Sequence, residues 1–169
     1  MLTGVLIRRE LPGDIAAISH LTELAFRRPD KQPYEQFIIG ELRRSSVLTL
    51  SFLAELDGRV VGHIAFSPVQ ISDGSSQWYG LGPVAVSPDV QRQGIGCGLI
   101  ETGLAALRER GAAGCVVLGS PKFYGRFGFK HRPDCILEGV PPHHFQSLTF
   151  GGHPAVGKVT YHKAFAARN

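Results

Sequence analysis

The chain has 169 residues, of which 43% are hydrophobic and 19% charged, a balance that predicts a single globular domain over residues 1–169. Its net charge of +4 comes from basic residues spread along the chain rather than from a dense run, so we predict no nucleic-acid partner. No window approaches the ~20 apolar residues of a membrane span, and three cysteines lack paired spacing, which predicts a cytoplasmic protein with no membrane partner, disulfide or metal.

The first third of the chain predicts a strand followed by two helices. Residues 6–11 have the pattern of a strand that ends at Pro12-Gly13, and Asp14 is placed to cap a helix that runs to about Arg27. A polar loop follows, and apolar side chains return at helical spacing in residues 34–44. We therefore predict two helices joined by a loop.

Three strands in a meander are predicted next. Residues 48–56 and 60–71 are apolar runs rich in β-branched side chains, and the Asp57-Gly58 pair between them is a strong hairpin signal. Residues 77–86 follow a second turn and form the third run. Strands linked by such short turns pair in antiparallel fashion.

The second half of the chain is predicted to begin with a helix and to become less regular. We expect a helix at about residues 94–110, a buried strand at 115–118, a short helix or turn at 123–128, and strands that start near residues 129 and 159. Residues 133–157 are rich in Pro, Gly and His, and we assign them no element. The order of elements indicates an α+β (mixed α/β) fold.

A glycine-rich turn joins the third meander strand to the following helix. Its glycines, Gly94, Gly96 and Gly98, leave backbone N–H groups and the positive end of the helix dipole open to an anion. The spacing does not fit a Rossmann turn, because Leu99 stands where the third glycine belongs. A P-loop needs Lys followed by Ser or Thr, which the segment lacks. The turn therefore predicts a pyrophosphate site of another type.

The turn resembles the acetyl-CoA motif of the GNAT family of acetyltransferases. The resemblance lies in the Gln-Arg-Gln-Gly-Ile-Gly sequence at residues 91–96 and in the hydrophobic strand that precedes it. It implies a GNAT-like central sheet, mostly antiparallel and twisted, splayed at the cofactor site and flanked by helices. The cofactor-binding residues that it implies are Val84, Ala85, Val86, Gln91, Arg92, Gln93, Gly94, Ile95, Gly96 and Tyr124.

The resemblance also implies a reaction. An N-acetyltransferase of this kind moves the acetyl group of acetyl-CoA directly to a primary amine within a ternary complex. The acceptor is a small-molecule or protein amine, no metal is needed, and a homodimer is left open. A second function remains open beside it, a CoA-binding sensor or interaction module without turnover.

Tyr124 is the candidate general acid. Residues 124–129 resemble the family's Tyr-x-x-x-Gly-Phe element, whose tyrosine commonly lies near the CoA sulfur. A phenol with a pKa of about 10 can protonate a thiolate with a pKa of about 8.5 only with the help of positioning and the local field. The alternative is a packed aromatic side chain in a stretch that also holds Phe123, Phe127 and Phe129.

The general base is not assigned by the sequence. His63 is a weak candidate on the second meander strand, for which a buried structural histidine is the favoured alternative. Glu55 on the neighbouring strand is a further candidate, for which an exposed hairpin charge is the better explanation. Cys97 at the helix start allows an acyl-enzyme route, against which a small buried thiol is the ordinary interpretation.

The acceptor surface is expected in two irregular segments, residues 27–36 and 134–150. Aromatic side chains at Tyr34, Trp78, Tyr79 and Phe145 suggest an apolar wall, although ordinary packing explains them equally well. The histidines at 143, 144, 153 and 162 lack metal-ligand spacing and are expected to be exposed. The sequence leaves the acceptor amine open.

Overall fold

The computed structural model describes residues 2–169, which group into two compact units built from separate segments. The first unit contains the chain up to Phe66, together with Gly82–Gly103 and Lys163–Asn169. The second unit contains Ser67–Leu81 and Leu104–His162.

Within residues 2–169 the chain forms four α-helices and eight strands, which confirms the predicted mixed α/β fold. The helices are α1 Ile15–Phe26, α2 Glu35–Arg44, α3 Ile95–Glu109 and α4 Pro121–Tyr124. The strands are β1 Leu6–Arg9, β2 Leu50–Leu56, β3 Arg59–Ile71, β4 Trp78–Val86, β5 Gly114–Leu118, β6 Cys135–Ile136, β7 Phe145–Thr149 and β8 Gly157–Tyr161. None of the helices described is long and apolar enough to cross a bilayer.

The first unit contains the predicted hairpin between β2 and β3. Asp57 and Gly58 have φ values of 52° and 75°, the left-handed pair that a tight hairpin turn requires. β2 pairs antiparallel with β3 on one side and with β1 on the other. The Asp-Gly signal therefore sets the register of this part of the sheet.

Helices cover both faces of the β2–β3 pair. Ile18 of α1 and Ile39 of α2 pack with Leu53 in a buried cluster on one face. On the other face, a Cβ added to Gly62 of β3 would lie 2.8 Å from Ile95 Cγ2, at the start of α3. The missing side chain lets α3 lie directly against the strand, which positions the N-terminus of this helix.

The second unit is built around β5. Residues 78–80 of β4 pair parallel with residues 114–116 of β5, and β7 pairs antiparallel with the other edge of β5. β8 pairs antiparallel with the last residues of β3 and parallel with β6. The buried side chains of this unit's core are Val69, Ile71, Trp78, Val116, Cys135, Phe145, Ala155 and Val159.

The predicted role of Asp14 as a side-chain cap is wrong. Asp14 occupies the position before α1, but its carboxylate makes no capping bond to that helix. Its two oxygens instead accept hydrogen bonds from Arg8, at 2.7 and 3.0 Å, and the backbone N–H of Leu11. These hydrogen bonds lower the pKa of Asp14 to about 2, and the bond from Arg8 has the largest effect.

Strand predictions near the C-terminus are partly wrong. No strand begins at Phe129, where the structure has only an isolated bridge between Lys130 and Ser147. Two missed strands, β6 and the longer β7, lie in the segment to which the sequence assigns no element. The longer strand, β7, needs a separate explanation. It forms because β5 offers it a buried edge, a long-range cause that local composition does not reveal. The strand predicted to start near residue 159 is present and runs from Gly157 to Tyr161.

Candidate functional site

The connection from β4 to α3 is tied to the rest of the first unit. After β4 ends at Val86, the N–H of Ser87 donates to the carbonyl of Val61 at 2.8 Å and continues the pairing with β3. The hydroxyl of Ser87 donates to Asp89, whose carboxylate also pairs with Arg59 at 2.8 Å. The chain therefore enters the glycine turn from a fixed position.

Residues 91–96 form an exposed turn that opens directly onto α3. Gln91 folds back so that its Nε2 donates to the carbonyl of Val86 at 3.1 Å. Arg92 and Gly94 have φ values of 62° and 89°, which turn successive peptide groups in directions that ordinary residues seldom allow. Residues 91–94, which include Gln93, are exposed, whereas Ile95 is 4% exposed and anchors the helix.

The first turn of α3 presents donors to this exposed surface. The N–H of Gly98 donates to the carbonyl of Gly94 at 3.0 Å, so the N–H groups of Ile95 and Gly96 precede the first intrahelical bond. A Cβ added to Gly96 would meet only Val86 Cγ2, at 3.8 Å. The space over Gly96 is therefore open to a ligand, and the positive end of the helix dipole points into it.

β4 continues beyond its pairing with β5. The register between the two strands includes residues 78–80 of β4, and the strand then runs on to Val86. The peptide bond between Gly82 and Pro83 is cis. Val84 and Val86 are half-buried and Ala85 is 3% exposed, so alternate residues of this stretch face the protein interior.

Tyr124 lies in an aromatic cluster at the end of α4, in the second unit. Its ring meets those of Phe123 and Phe129 edge to face, with centroids 5.0 and 5.9 Å apart. A Cβ added to Gly119 would lie 2.5 Å from Tyr124 Cε2, so only glycine leaves room for the ring there. The side chain of Ser120 caps α4 through the N–H of Phe123. These contacts fix the orientation of the phenol.

Burial keeps the Tyr124 phenol protonated. It raises the pKa of Tyr124 to about 12, with a smaller contribution from the nearby Cys115. The hydroxyl therefore carries its proton at neutral pH. This is the protonation state that a proton donor needs.

His63 belongs to a buried chain of polar groups in the first unit. Its Nε2 lies 2.7 Å from Ser51 Oγ, and the Ser51 hydroxyl donates to Glu10 Oε1 at 2.9 Å. Arg43 Nη2 donates to the same Glu10 oxygen at 2.6 Å. Because the Ser51 proton points to Glu10, His63 donates from Nε2, and its Nδ1 has no hydrogen-bond partner among residues 2–169.

Burial lowers the pKa of His63 from 6.5 to about 4. Glu10 opposes this effect and Arg43 adds to it. Because the unfolded chain has the higher pKa, it binds a proton between pH 4 and 6.5 that the folded protein does not bind. The stability that neutral His63 provides is therefore complete above pH 6.5 and lost as the pH falls through about 4.

We expect the free energy of unfolding to fall by roughly 3 kcal/mol from neutral pH to about pH 4 on account of His63. Urea denaturation at pH 7 and at lower pH measures this change, and His63→Gln should remove that share of it. The exposed His153 provides the control, since His153→Gln should behave like the wild type. An equal pH dependence in the wild type and His63→Gln would contradict the assignment.

Glu55 and Cys97 are the two other candidate reactive side chains. Glu55 is half-buried, and its Oε1 accepts from Arg8 Nη2 at 3.0 Å, so it is an ion-paired residue rather than a solitary hairpin charge. Cys97 is half-buried in the first turns of α3. In the described part of the chain, no group of three or more His, Cys, Asp or Glu side chains is arranged to hold a metal ion.

Ordinary packing, the alternative that the sequence left open, accounts for three of the four aromatic side chains of the suggested wall. Trp78, Tyr79 and Phe145 are 2%, 7% and 1% exposed and belong to the buried interior of the second unit. Tyr34, in the first unit, is half-buried beneath the guanidinium of Arg168, which lies 3.8 Å from the ring centroid. The large apolar area of these rings favours burial over exposure.

Sequence reasoning missed the partners of His63. Ser51 lies 12 residues before His63, and Glu10 lies 41 residues before Ser51. No motif links these positions, because β1, β2 and β3 bring them together only after the strands pair. The one available signal was the presence of polar residues in strands that are otherwise apolar.

Comparison with known proteins gives consistent matches. A model of the acetyltransferase (GNAT) family matches residues 15–129. The uncharacterized N-acetyltransferase YhbS of Escherichia coli strain K12 is 35% identical over 170 residues, which cover 95% of this chain and 98% of YhbS.

Two solved structures extend these matches. A GNAT family acetyltransferase from Brucella melitensis, in complex with acetyl-CoA, is 48% identical with a TM-score of 0.84, covering 95% of this chain and 97% of that one. Escherichia coli YhbS, in complex with CoA, is 33% identical with a TM-score of 0.89, covering 100% and 96%. Both confirm the predicted architecture, a mostly antiparallel open sheet flanked by helices.

Proposed function

The chain belongs to the GNAT family of acetyltransferases, and on that premise we propose that it transfers the acetyl group of acetyl-CoA to a primary amine. We include in the proposal that the whole chain acts as one catalytic domain. The observation that carries it is the exposed turn at Arg92 and Gly94, which opens onto the first turn of α3. The Brucella melitensis relative, 48% identical, is bound to acetyl-CoA.

Residues 91–96 are proposed to bind the pyrophosphate. The N–H groups of Ile95 and Gly96 precede the first hydrogen bond of α3, and the helix dipole favours negative charge at this end. Arg92 is exposed in the same turn and adds a positive charge. Gln91 and Gln93 complete the segment, with Gln91 holding the turn against Val86. The donors and the open space over Gly96 suit a bulky anion.

The end of β4 is proposed to bind the pantetheine arm. Val84, Ala85 and Val86 extend past the register that β4 shares with β5, so backbone N–H and C=O groups here can pair with an extended ligand as a strand would. The backbone N–H near Val84 is proposed to donate to the thioester carbonyl. Such a donor stabilises negative charge that develops on the oxygen during attack.

Tyr124 is proposed to protonate the departing sulfur. Attack by the amine nitrogen on the acetyl carbon breaks the carbon–sulfur bond and leaves an electron pair on sulfur, which needs one proton. Tyr124 provides that proton, and the proton that the amine nitrogen loses restores the phenol. Burial raises the pKa of Tyr124 to about 12, which makes the phenol a weaker acid. The proposal therefore requires that the water-poor surroundings also raise the proton affinity of the departing sulfur.

We propose that His63 acts as the base only if a water molecule or a rearrangement of the site connects it to the amine. Its side chain is 0% exposed, its Nε2 is committed to Ser51, and its Nδ1 is the one ring nitrogen left to accept a proton. From this buried position the His63 ring does not contact a bound amine directly. A pH–rate profile that is unchanged in His63→Gln would remove His63 from the reaction.

Two measurements test the proposed function. Calorimetry is expected to show saturable acetyl-CoA binding to the wild-type chain, and a thiol assay over a panel of amines is expected to show acceptor-dependent release of CoA. Binding without any release would favour the CoA-binding sensor or interaction module. Absence of binding at millimolar acetyl-CoA would overturn both.

The cellular setting is part of the proposal. We infer a cytoplasmic protein, because its three cysteines form an odd set without paired spacing, as is usual in a reducing compartment. The partner is a small-molecule or protein amine, and a homodimer is compatible with the proposal. Sedimentation of the purified chain measures the oligomeric state.

A further inference from the structure

A partly enclosed cavity of about 240 Å³ lies inside the second unit. Its wall comes mainly from the segment between the bridge at Lys130 and the start of β7, a region in which the sequence predicted an acceptor surface. Most of its lining is apolar, from Ile136, Leu137, Val140, Pro142 and Phe145. His131, Cys135, Glu138 and Gly139 complete it.

Hydrogen bonds link one wall of this cavity to the residue against which the ring of Tyr124 packs. Phe145, one of its walls, pairs with Leu118 at the end of β5. The next residue, Gly119, donates its N–H to the carbonyl of His144 at 2.9 Å. Gly119 also carries the ring of Tyr124, which lies where a Cβ would stand. Gly119 therefore contacts both the ring of the proposed acid and the backbone that leads into the cavity wall.

His131 gives the cavity a polar group without a protein partner. Its Nδ1 is buried and makes no hydrogen bond to the residues that the structure describes. The ring lies against that of His143, with centroids 4.4 Å apart and planes tilted by 50°, and this contact restricts its orientation. A buried polar atom left unpaired costs about 1–3 kcal/mol, so a ligand N–H that reaches Nδ1 removes a penalty.

We propose that this cavity binds the acceptor, and that the acceptor is a primary amine on a compact apolar body with an N–H that donates to His131 Nδ1. The inference rests on the proposed acetyltransferase function and deepens it. The volume of about 240 Å³ lies below the roughly 300–1,000 Å³ of sites for drug-sized ligands, which favours a small aliphatic or arylalkyl amine. Glu138 of the lining is already paired with Lys158 at 3.1 Å, so a polyamine or aminoglycoside would leave its further charged groups against the apolar wall.

The test compares kcat/KM values between acceptor amines and uses a larger side chain to fill the cavity. Phenethylamine and isoamylamine are expected to have kcat/KM values at least tenfold above those of ethanolamine and spermidine in a CoA-release assay. Val140→Phe should lower kcat/KM for the two apolar amines about tenfold or more, and leave the Kd of acetyl-CoA unchanged. Val156→Phe is the matched control, because Val156 is 47% exposed and outside the cavity lining.

A second variant guards against misfolding. His131→Leu keeps the cavity apolar but removes the acceptor nitrogen, so the KM for phenethylamine should rise while thermal stability is retained. His131→Asn, whose Oδ1 can replace Nδ1, should restore part of the affinity. A preference for polar amines, or equal kcat/KM values in the wild type and a folded Val140→Phe, would overturn the inference. Loss of acetyl-CoA binding in the wild type would instead overturn the proposed function.

Discussion

Tyr124→Phe is expected to lower kcat about 100-fold and to leave the Kd of acetyl-CoA within about threefold of the wild type. The substitution keeps the ring contacts with Phe123 and Phe129, whose centroids lie 5.0 and 5.9 Å away, and removes only the hydroxyl. If the hydroxyl protonates the sulfur, its loss affects the step in which the thiol departs. Steady-state kinetics with saturating amine, combined with calorimetry, separates turnover from binding.

Tyr79→Phe is the matched control for this prediction. The Tyr79 hydroxyl donates to Gln77 Oε1 at 3.1 Å, so the variant loses one hydrogen bond and about 1 kcal/mol of stability. Its kcat should stay within twofold of the wild type. A Tyr124→Phe enzyme with wild-type kcat would show that the phenol only packs against its aromatic neighbours.

Elements whose signals are local could be predicted from the sequence. The hairpin at Asp57 and Gly58 forms because two adjacent residues accept positive φ, and α3 forms because apolar side chains recur at helical spacing. The strand β7 could not be predicted, since its stability comes from the edge of β5, about 30 residues earlier in the chain. The carboxylate of Asp14 bonds Arg8 for a similar reason, a neighbour supplied by β1.

The same distinction between local signals and long-range contacts applies to the candidate site. Residues 91–96 are contiguous, so their glycine spacing, together with the strand before them and the helix after them, predicts an anion site. The links from His63 to Ser51 and Glu10 depend on strand pairing, and the cavity beside His131 depends on how an irregular segment folds. Chemistry built from one turn can be predicted from sequence, whereas chemistry assembled across strands needs the fold.

A second large effect is expected for Gly94→Val, which should raise the Kd of acetyl-CoA about 10- to 100-fold. Gly94 has a φ of 89°, which a β-branched residue adopts only with strain of about 1–3 kcal/mol. The backbone is expected to relax by rotating, and the rotation turns the N–H groups at Ile95 and Gly96 away from the ligand. Each tenfold change in Kd corresponds to about 1.4 kcal/mol, so the strain and the loss of binding are of similar size.

Gly111→Val separates the role of the turn from strain in general. Gly111 follows α3 with a φ of 81° and has no heavy atom within 4 Å of an added Cβ, so the substitution imposes a comparable strain. Urea denaturation should show a similar loss of stability in both variants, whereas calorimetry should show weaker acetyl-CoA binding only in Gly94→Val. Equal affinities in the two folded variants would mean that the backbone of this turn does not hold the pyrophosphate. The anion would then depend on side chains such as that of Arg92, which Arg92→Gln would test directly.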